Sequence, residues 1–422
     1  MTLARLVERV LGPDLPIAVE AYDGSRVGPT EAPATLQIRS RDALLRIVTA
    51  PGELGLARAY VAGDLDLEGD MWALLALRDR MPDVRLDRSV LRELVRELGG
   101  WRQIRPLPPP PEEARLRGRR HSKDRDAAAI SHHYDVSNEF YQLVLGPSLT
   151  YSCAVFHDPS DSLEQAQANK YELICRKLGL QPGMRLLDVG CGWGGMVMHA
   201  AQHHGVQAVG VTLSRAQAEL AEKRVAEAGL SGQVEIRVQD YRDVDDGPYD
   251  GISSIGMFEH VGEARLGEYF DRLRALVAPH GRLLNHGISR PAGQRARLPH
   301  RSFINRYVFP DGELHEVGRV VSAIQKAGFE VRHVESLREH YALTLRRWVD
   351  NLERNWAQAV AEVGEGRARV WRLYMAGSAI NFEAGRTNVH QILATPLTDD
   401  GVSGLPLRPS FEDGAGRGPA GS

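Results

Sequence analysis

The stretch LLDVGCGWGG, Leu186 to Gly195, constrains the fold of this 422-residue chain more than any other. An apolar run of the kind that makes a buried strand passes directly into four glycines. The helical pattern GGMVMHAAQHH follows at once. Gly190, Gly192, Gly194 and Gly195 let the backbone turn tightly and approach a ligand closely. A strand, a glycine turn and a helix in that order form the first unit of a parallel α/β sheet.

The rest of the chain from about residue 130 to 395 extends that unit. MRLLDVG, QAVGVTL, QVEIRVQD, YDGISSIG and GRLLNHGIS read as strands. RAQAELAEKRVAEAG and ARLGEYFDRLRALV read as helices between them. Such alternation predicts a mostly parallel sheet with helices on both faces. Residues 289–314 are too long for a plain connector and read as a lid or substrate-binding insertion. EVGRVVSAIQKAGFEVRHVESL then supplies a helix and a strand, and two long amphipathic helices follow. In the first, Leu345, Trp348, Leu352 and Trp356 recur at helical spacing. Residues 396–422, rich in Gly, Pro and Ser, are expected to be disordered.

Residues 1–105 read as a small mixed α+β domain. ATLQIRS and ALLRIVTA are expected strands, MWALLALRDRM an expected helix, and GELGLARAYVAGDLDLEGD a run of turns. Leu3, Leu6, Val7, Val10 and Leu11 suit a short amphipathic helix rather than the apolar core of a signal peptide. Residues 106–129 join four consecutive prolines to a basic cluster of Arg115, Arg117, Arg119, Arg120, Lys123 and Arg125. The segment reads as a stiff solvated linker or as a contact for an anionic lipid surface.

Composition sets the outer bounds. A net charge of −3 gives no global basic field for nucleic acid. No run of about 18 apolar residues is present to span a bilayer. The three cysteines, Cys153, Cys175 and Cys191, form no CxxC pair and no disulfide framework. A reducing, cytoplasmic setting is the simplest expectation.

The glycine loop alone leaves its ligand open, because Gly190, Gly192 and Gly195 also satisfy the G-x-G-x-x-G spacing of dinucleotide sites. Two details favour S-adenosylmethionine. Asp188 precedes the glycines, and its carboxylate can hold the cationic amino end of the methionine part. The next strand ends in GVTLSRAQ, where a dinucleotide site expects an acid for the ribose. Thr212 and Gln217 can hydrogen-bond a ribose there instead. After the third strand, Asp240 can accept from an adenine amine and Tyr241 can pack on the ring.

SSIGMFEHV, Ser253 to Val261, places Glu259 at the end of a buried strand, where an unpaired carboxylate is costly. Taken singly, Cys153 reads as an inert thiol, His286 as a core histidine and Tyr341 as a wall residue. Taken together the motifs say more. HYDVSNEFYQLVLGPSLTYSCAVF, DVGCGWGG, GVTLSRAQ, QDYRDV, GMFEHVG, FINRYVFPDGEL and HYALTLRRW closely resemble the cyclopropane-fatty-acyl-phospholipid synthase family, in the same order over about residues 130–380.

The resemblance implies a Rossmann-like class I methyltransferase with a mostly parallel seven-stranded sheet, behind a lipid-engaging N-terminal domain. It implies that Tyr151, Ser152, Gly190, Gly192, Thr212, Leu213, Gln217, Asp240 and Tyr241 hold S-adenosylmethionine. It further implies a bicarbonate ion held by Cys153, Glu259, His286, the backbone of Ile288, and Tyr341. The expected reaction adds a methyl to the cis double bond of a phospholipid acyl chain. The resulting cation, with Phe156, Tyr307, Phe309 and Trp348 as candidate aromatic neighbours, loses a proton and closes a cyclopropane ring. Loss of a different proton gives a methylene-branched chain, the nearest rival. A non-catalytic lipid- or S-adenosylmethionine-binding protein and a nicotinamide oxidoreductase are more distant ones. Such an enzyme is expected on the inner face of a membrane, peripherally bound, with no nucleic-acid partner; a homodimer is compatible with that setting.

Overall fold

The computed structural model describes residues 2–77, 88–114, 136–294, 299, 301–310 and 312–411. The basic cluster from Arg115 to Arg125 lies outside the described residues. The chain divides into two compact units, each built from three separate segments.

The first unit comprises Met1–Leu116, Leu298–Pro310 and Leu352–Ile380. Its sheet has the order β2-β1-β3-β4, with β1 Ala18–Ala21, β2 Arg26–Val27, β3 Ala34–Ile38 and β4 Leu65–Gly69. β1 and β3 run parallel, while β2 and β4 are antiparallel to their neighbours. The amphipathic helix expected at the start is present as Leu3–Leu11, and Leu3 and Leu6 enter the core with Val19, Ile38 and Leu65.

Two local expectations are corrected here. ALLRIVTA is not a strand but most of a helix, Arg41–Thr49, because Ser40 caps it by accepting from the Asp42 N–H. The β-branched Ile47, Val48 and Thr49 suggested a strand, yet Ala43, Leu44 and Leu45 bury one helical face. The stretch read as turns holds the helix Glu53–Val61 and all of β4.

The later segments are tied in by buried charge. Glu113, 4% exposed, accepts from Arg58 Nε and Nη2 at 2.7 and 2.8 Å and sits 2.8 Å from Arg306 Nε. Arg369 donates to the Tyr60 and Leu65 carbonyls and pairs with Asp66 at 3.0 Å. The division has more cuts than the single one expected at residues 106–129. Residues 298–310 and 352–380 belong with the first unit, and Ser289 and Arg290 close a strand.

The second unit carries the sheet foreseen from the alternation. Its strands are β5 Arg185–Val189, β6 Gln207–Thr212, β7 Val234–Val238, β8 Tyr249–Ile255, β9 Val277–Arg290, β10 His315–Glu316, β11 Phe329–Ser336 and β12 Asn388–Pro396. The order is β11-β12-β9-β8-β5-β6-β7, with the short β10 beside the end of β9. β5 to β9 pair in parallel, and only β12 is antiparallel, to both β9 and β11.

Helices cover both faces. Leu163–Leu178, Gly195–His204 and Arg215–Glu227 pack through Ile174, Val197 and Ala221 on one side. Leu266–Leu276 and Val317–Lys326 pack through Phe270, Leu273 and Ile324 on the other. Residues 397–411, expected to be disordered, lie against this unit: Arg282 donates to the Gly404 carbonyl and Arg176 to that of Phe411. No described helix is long and apolar enough to cross a membrane.

Candidate active site

In a parallel sheet the loops that leave the carboxyl ends of the strands gather on one side. Here the glycine loop after β5, the turn after β6, and the turns after β7 and β8 line one cleft of about 140 Å³. Gly190, Gly192 and Gly194 have φ of +80°, +54° and +80°, a region in which a side chain would be strained. Tyr151, Ser152, Asp188, Gly190, Gly192, Thr212, Leu213, Gln217 and Tyr241 all line the cleft. Thr212 donates to Gln217 Oε1 at 3.0 Å, which fixes both side chains. Asp240 does not line it. Its carboxylate caps the turn Tyr241–Asp243 and is held by the Arg242 guanidinium.

Asp188 is 2% exposed and accepts from Ser253 Oγ at 2.6 Å. Burial pushes its carboxyl up to about 6, against the pull of Ser253 and Lys170. Lys170 was not foreseen. It lines the same cleft, is 1% exposed, and donates to Ser152 Oγ at 3.0 Å with its ammonium 4.0 Å from the Tyr171 ring. Burial draws it down to about 7. The signal was present in the sequence, since Lys170 and Lys177 are seven apart on the buried face of Leu163–Leu178.

β8 and β9 bring a second group together. Ile255 stands opposite His286 in the parallel ladder, so the turn after β8 reaches the following residues of β9. Glu259, in the turn Phe258–His260, accepts the Ile288 N–H through Oε1 at 2.6 Å. Ile288 therefore serves Glu259, a different partner from the ion expected of it. The reason is local: a buried carboxylate needs a donor, and this is the one beside it. Glu259 Oε2 and His286 Nε2 are both buried with no partner among the described residues. Burial raises Glu259 to about 7 and holds His286 well below its ordinary value.

Cys153 and Tyr341 meet at the Leu337 carbonyl, which lies 3.6 Å from the Cys153 Sγ and 3.1 Å from the Tyr341 N–H. The Leu337 N–H donates to Val389, whose residue stands opposite Ile288 in the sheet. Burial pushes the Cys153 thiol up, so it stays protonated. Helix Arg338–Arg354 grips the Cys153 segment through Thr344 Oγ1 on the Ala154 N–H and His340 Nδ1 on the Phe156 N–H.

Of the aromatic candidates, Trp348 is fully buried, 5.4 Å from Tyr151 and 6.0 Å from Tyr341 between ring centroids. Phe156 stacks on His340. Tyr307 and Phe309 fall in the first unit, where the Tyr307 hydroxyl donates to Glu113.

Other cleft residues escaped the sequence reading: Gln239, Met257, Trp193 and His260. Burial lowers His260 to about 4, so it enters the cleft as a neutral ring. Trp193 donates to Asn138 at 2.8 Å, tying the glycine loop to the helix Asn138–Leu145.

Comparison with known proteins gives this geometry a context. The family model described as mycolic acid cyclopropane synthetase matches residues 121–392. A probable fatty acid methyltransferase of Mycobacterium tuberculosis is 50% identical over 408 residues, covering 94% of this chain and 95% of its own. A tuberculostearic acid methyltransferase of the same organism is 34% identical over 388 residues, covering 89% and 87%. The crystal structure of a mycolic acid cyclopropane synthase complexed with SAH and CTAB is 36% identical, with a TM-score of 0.60, covering 64% of this chain and 97% of that one. Matched over most of its second unit by the family model and over nearly its whole length by a relative at half identity, the chain belongs to the mycolic acid cyclopropane synthetase family.

Proposed function

We propose that the chain transfers a methyl group from S-adenosylmethionine to the cis double bond of an unsaturated phospholipid acyl chain and closes a cyclopropane ring. One observation carries the reading: two orphaned buried atoms, Glu259 Oε2 and His286 Nε2, in a fold whose cleft has the residues for S-adenosylmethionine. A charged acceptor and an imidazole nitrogen, both dry and unpaired, fit a small anion that can donate to one and accept from the other. Bicarbonate is such an anion and would supply a base when bound.

S-adenosylmethionine, when bound, supplies an electrophilic methyl on a sulfonium centre. The chain's task is to hold an unactivated alkene in line and away from water. Attack by the alkene leaves a cation on the acyl chain. Trp348 and Phe156 offer aromatic faces, worth ~0.5–2 kcal/mol each to a nearby cation. Glu259 and His286 hold the proton acceptor, and Cys153 and Tyr341 shape the wall beside it.

Proton NMR of lipids from an expressing host is expected to show upfield cyclopropane signals. Vinylidene signals would establish the second reading, a methylene-branched product, which the tuberculostearic acid relative favours. Neither signal, with S-adenosylmethionine shown to bind, would leave a non-catalytic binding protein. The first unit is assigned to lipid engagement at the inner face of a membrane, with homodimerisation as part of that docking.

Asp188 gives the cofactor reading a pH signature. With its carboxyl near 6, it is ionised at neutral pH and protonated below. The methionine ammonium of the cofactor stays charged across that range. Dissociation constants from calorimetry should therefore rise as pH falls from 7 to 5, approaching about tenfold per unit below 6. Asp188→Asn should bind weakly and flatten the profile. A flat wild-type profile would remove Asp188 from this role.

A further inference from the structure

Gln391 on β12 stands directly opposite His286 on β9. Its side chain joins two buried groups. Oε1 accepts from Lys177 Nζ at 2.7 Å, and Nε2 lies 3.2 Å from His286 Nδ1. Lys177, Gln391 and His286 are each at most 1% exposed. Lys177 also meets the Glu335 carboxylate, which keeps a buried ammonium compensated.

The chemistry of these groups leaves little freedom. An ammonium has donors only, so the Gln391 amide must turn its carbonyl to Lys177. The reverse placement would set two donors face to face in the interior and strand the carbonyl. The amide NH₂ then faces His286 Nδ1 and needs a lone pair there. A neutral imidazole with a lone pair on Nδ1 carries its proton on Nε2. Nε2 is the buried atom for which no described residue supplies a partner.

We infer that Lys177 and Gln391 are positioning residues that lock His286 in the Nε2–H tautomer, so that it presents a fixed donor beside the Glu259 carboxyl. Glu335 anchors the far end. Three elements contribute: helix Leu163–Leu178, β11 and β12. With the opposite tautomer, His286 would turn a lone pair toward an anion and repel it. The catalytic consequence rests on the proposed function; the tautomer does not.

The test reads the proton directly. Long-range proton–nitrogen correlation on histidine-labelled protein, with His286→Gln to identify its signal among the 15 histidines, should show a protonated Nε2 and a lone pair on Nδ1. Gln391→Glu replaces the NH₂ by an acceptor and should move the proton to Nδ1 or add a second one. Its turnover should fall at least about 10²-fold with the S-adenosylmethionine KM unchanged, the scale found when a tautomer-fixing partner is altered. Lys177→Met should free the amide and give a mixture of tautomers. An Nδ1–H tautomer in the wild type overturns the inference, as does an unchanged tautomer in Gln391→Glu. Unchanged turnover in a Gln391→Glu protein whose tautomer has shifted overturns the positioning role. The expected tautomer in a protein that methylates no acyl chain supports the relay and defeats the proposed function instead.

Discussion

Replacing Glu259 by glutamine should lower turnover about 10³-fold, within the range that a positioned acid or base contributes, while S-adenosylmethionine binds as before. The substitution preserves shape. Its amide oxygen can still accept the Ile288 N–H that Oε1 accepts at 2.6 Å. What is lost is exchange of a proton at Oε2, the atom with no described protein partner. Burial places the carboxyl near 7, so both protonation states are within reach at neutral pH. Two anions placed side by side cannot both stay ionised cheaply, so a proton shared between Glu259 and a bound base is the low-energy arrangement. Glutamine cannot share it. Calorimetry of S-adenosylmethionine binding beside a turnover assay checks the result. Affinity falling in parallel with turnover would make Glu259 a cofactor residue.

Gly287→Ala should be nearly as damaging by a steric route. Gly287 lies between His286 and Ile288 on β9, and an added Cβ would stand 1.9 Å from Phe258 Cε1. Phe258 is 2% exposed and precedes Glu259, so the ring has no open space and moves only with the turn that carries the carboxylate. Overpacking of this kind costs about 1–3 kcal/mol of stability, and a displacement of about 1 Å at reacting groups costs about 10² in rate. Thermal unfolding and turnover should therefore both fall. Phe258→Leu in the same chain should restore part of the melting temperature. An unchanged melting temperature in Gly287→Ala would show that the ring is not confined.

The second unit was legible because its signals are local. Each strand from β5 to β8 is followed within two residues by a glycine or a capping residue, and helices come after β5, β6 and β8. The cleft followed, since Asp188, Thr212 and Tyr241 sit where strands end. The tasks of Ile288, Lys170 and Lys177 were not legible. A main-chain N–H has no letter in a sequence, and lysine is read as surface unless its neighbours on the helix face are considered. In the first unit, Ile47, Val48 and Thr49 have the β-branched shape of strand residues, but the Ser40 cap and the buried face of Ala43, Leu44 and Leu45 make the segment a helix. β12 was not read at all. NVHQILATP mixes polar and apolar residues, and Gln391 and Thr395 are buried by partners far away in the chain.

The discontinuity of the first unit was beyond any local reading, and it bears on how the chain is made. Residues up to Leu116 leave the ribosome long before Leu352–Ile380, yet both belong to one packed body. Glu113 waits for Arg306, and Asp66 waits for Arg369. At about 5–20 residues per second, the gap is on the order of 10–50 s. Until then Glu113 has Arg58 and Asp66 has Arg39 from the same early segment, and each gains its second cation late; the central sheet waits longer still, for β12. Both units thus wait for carboxyl-terminal segments, the first for residues 352–380 and the second for β12.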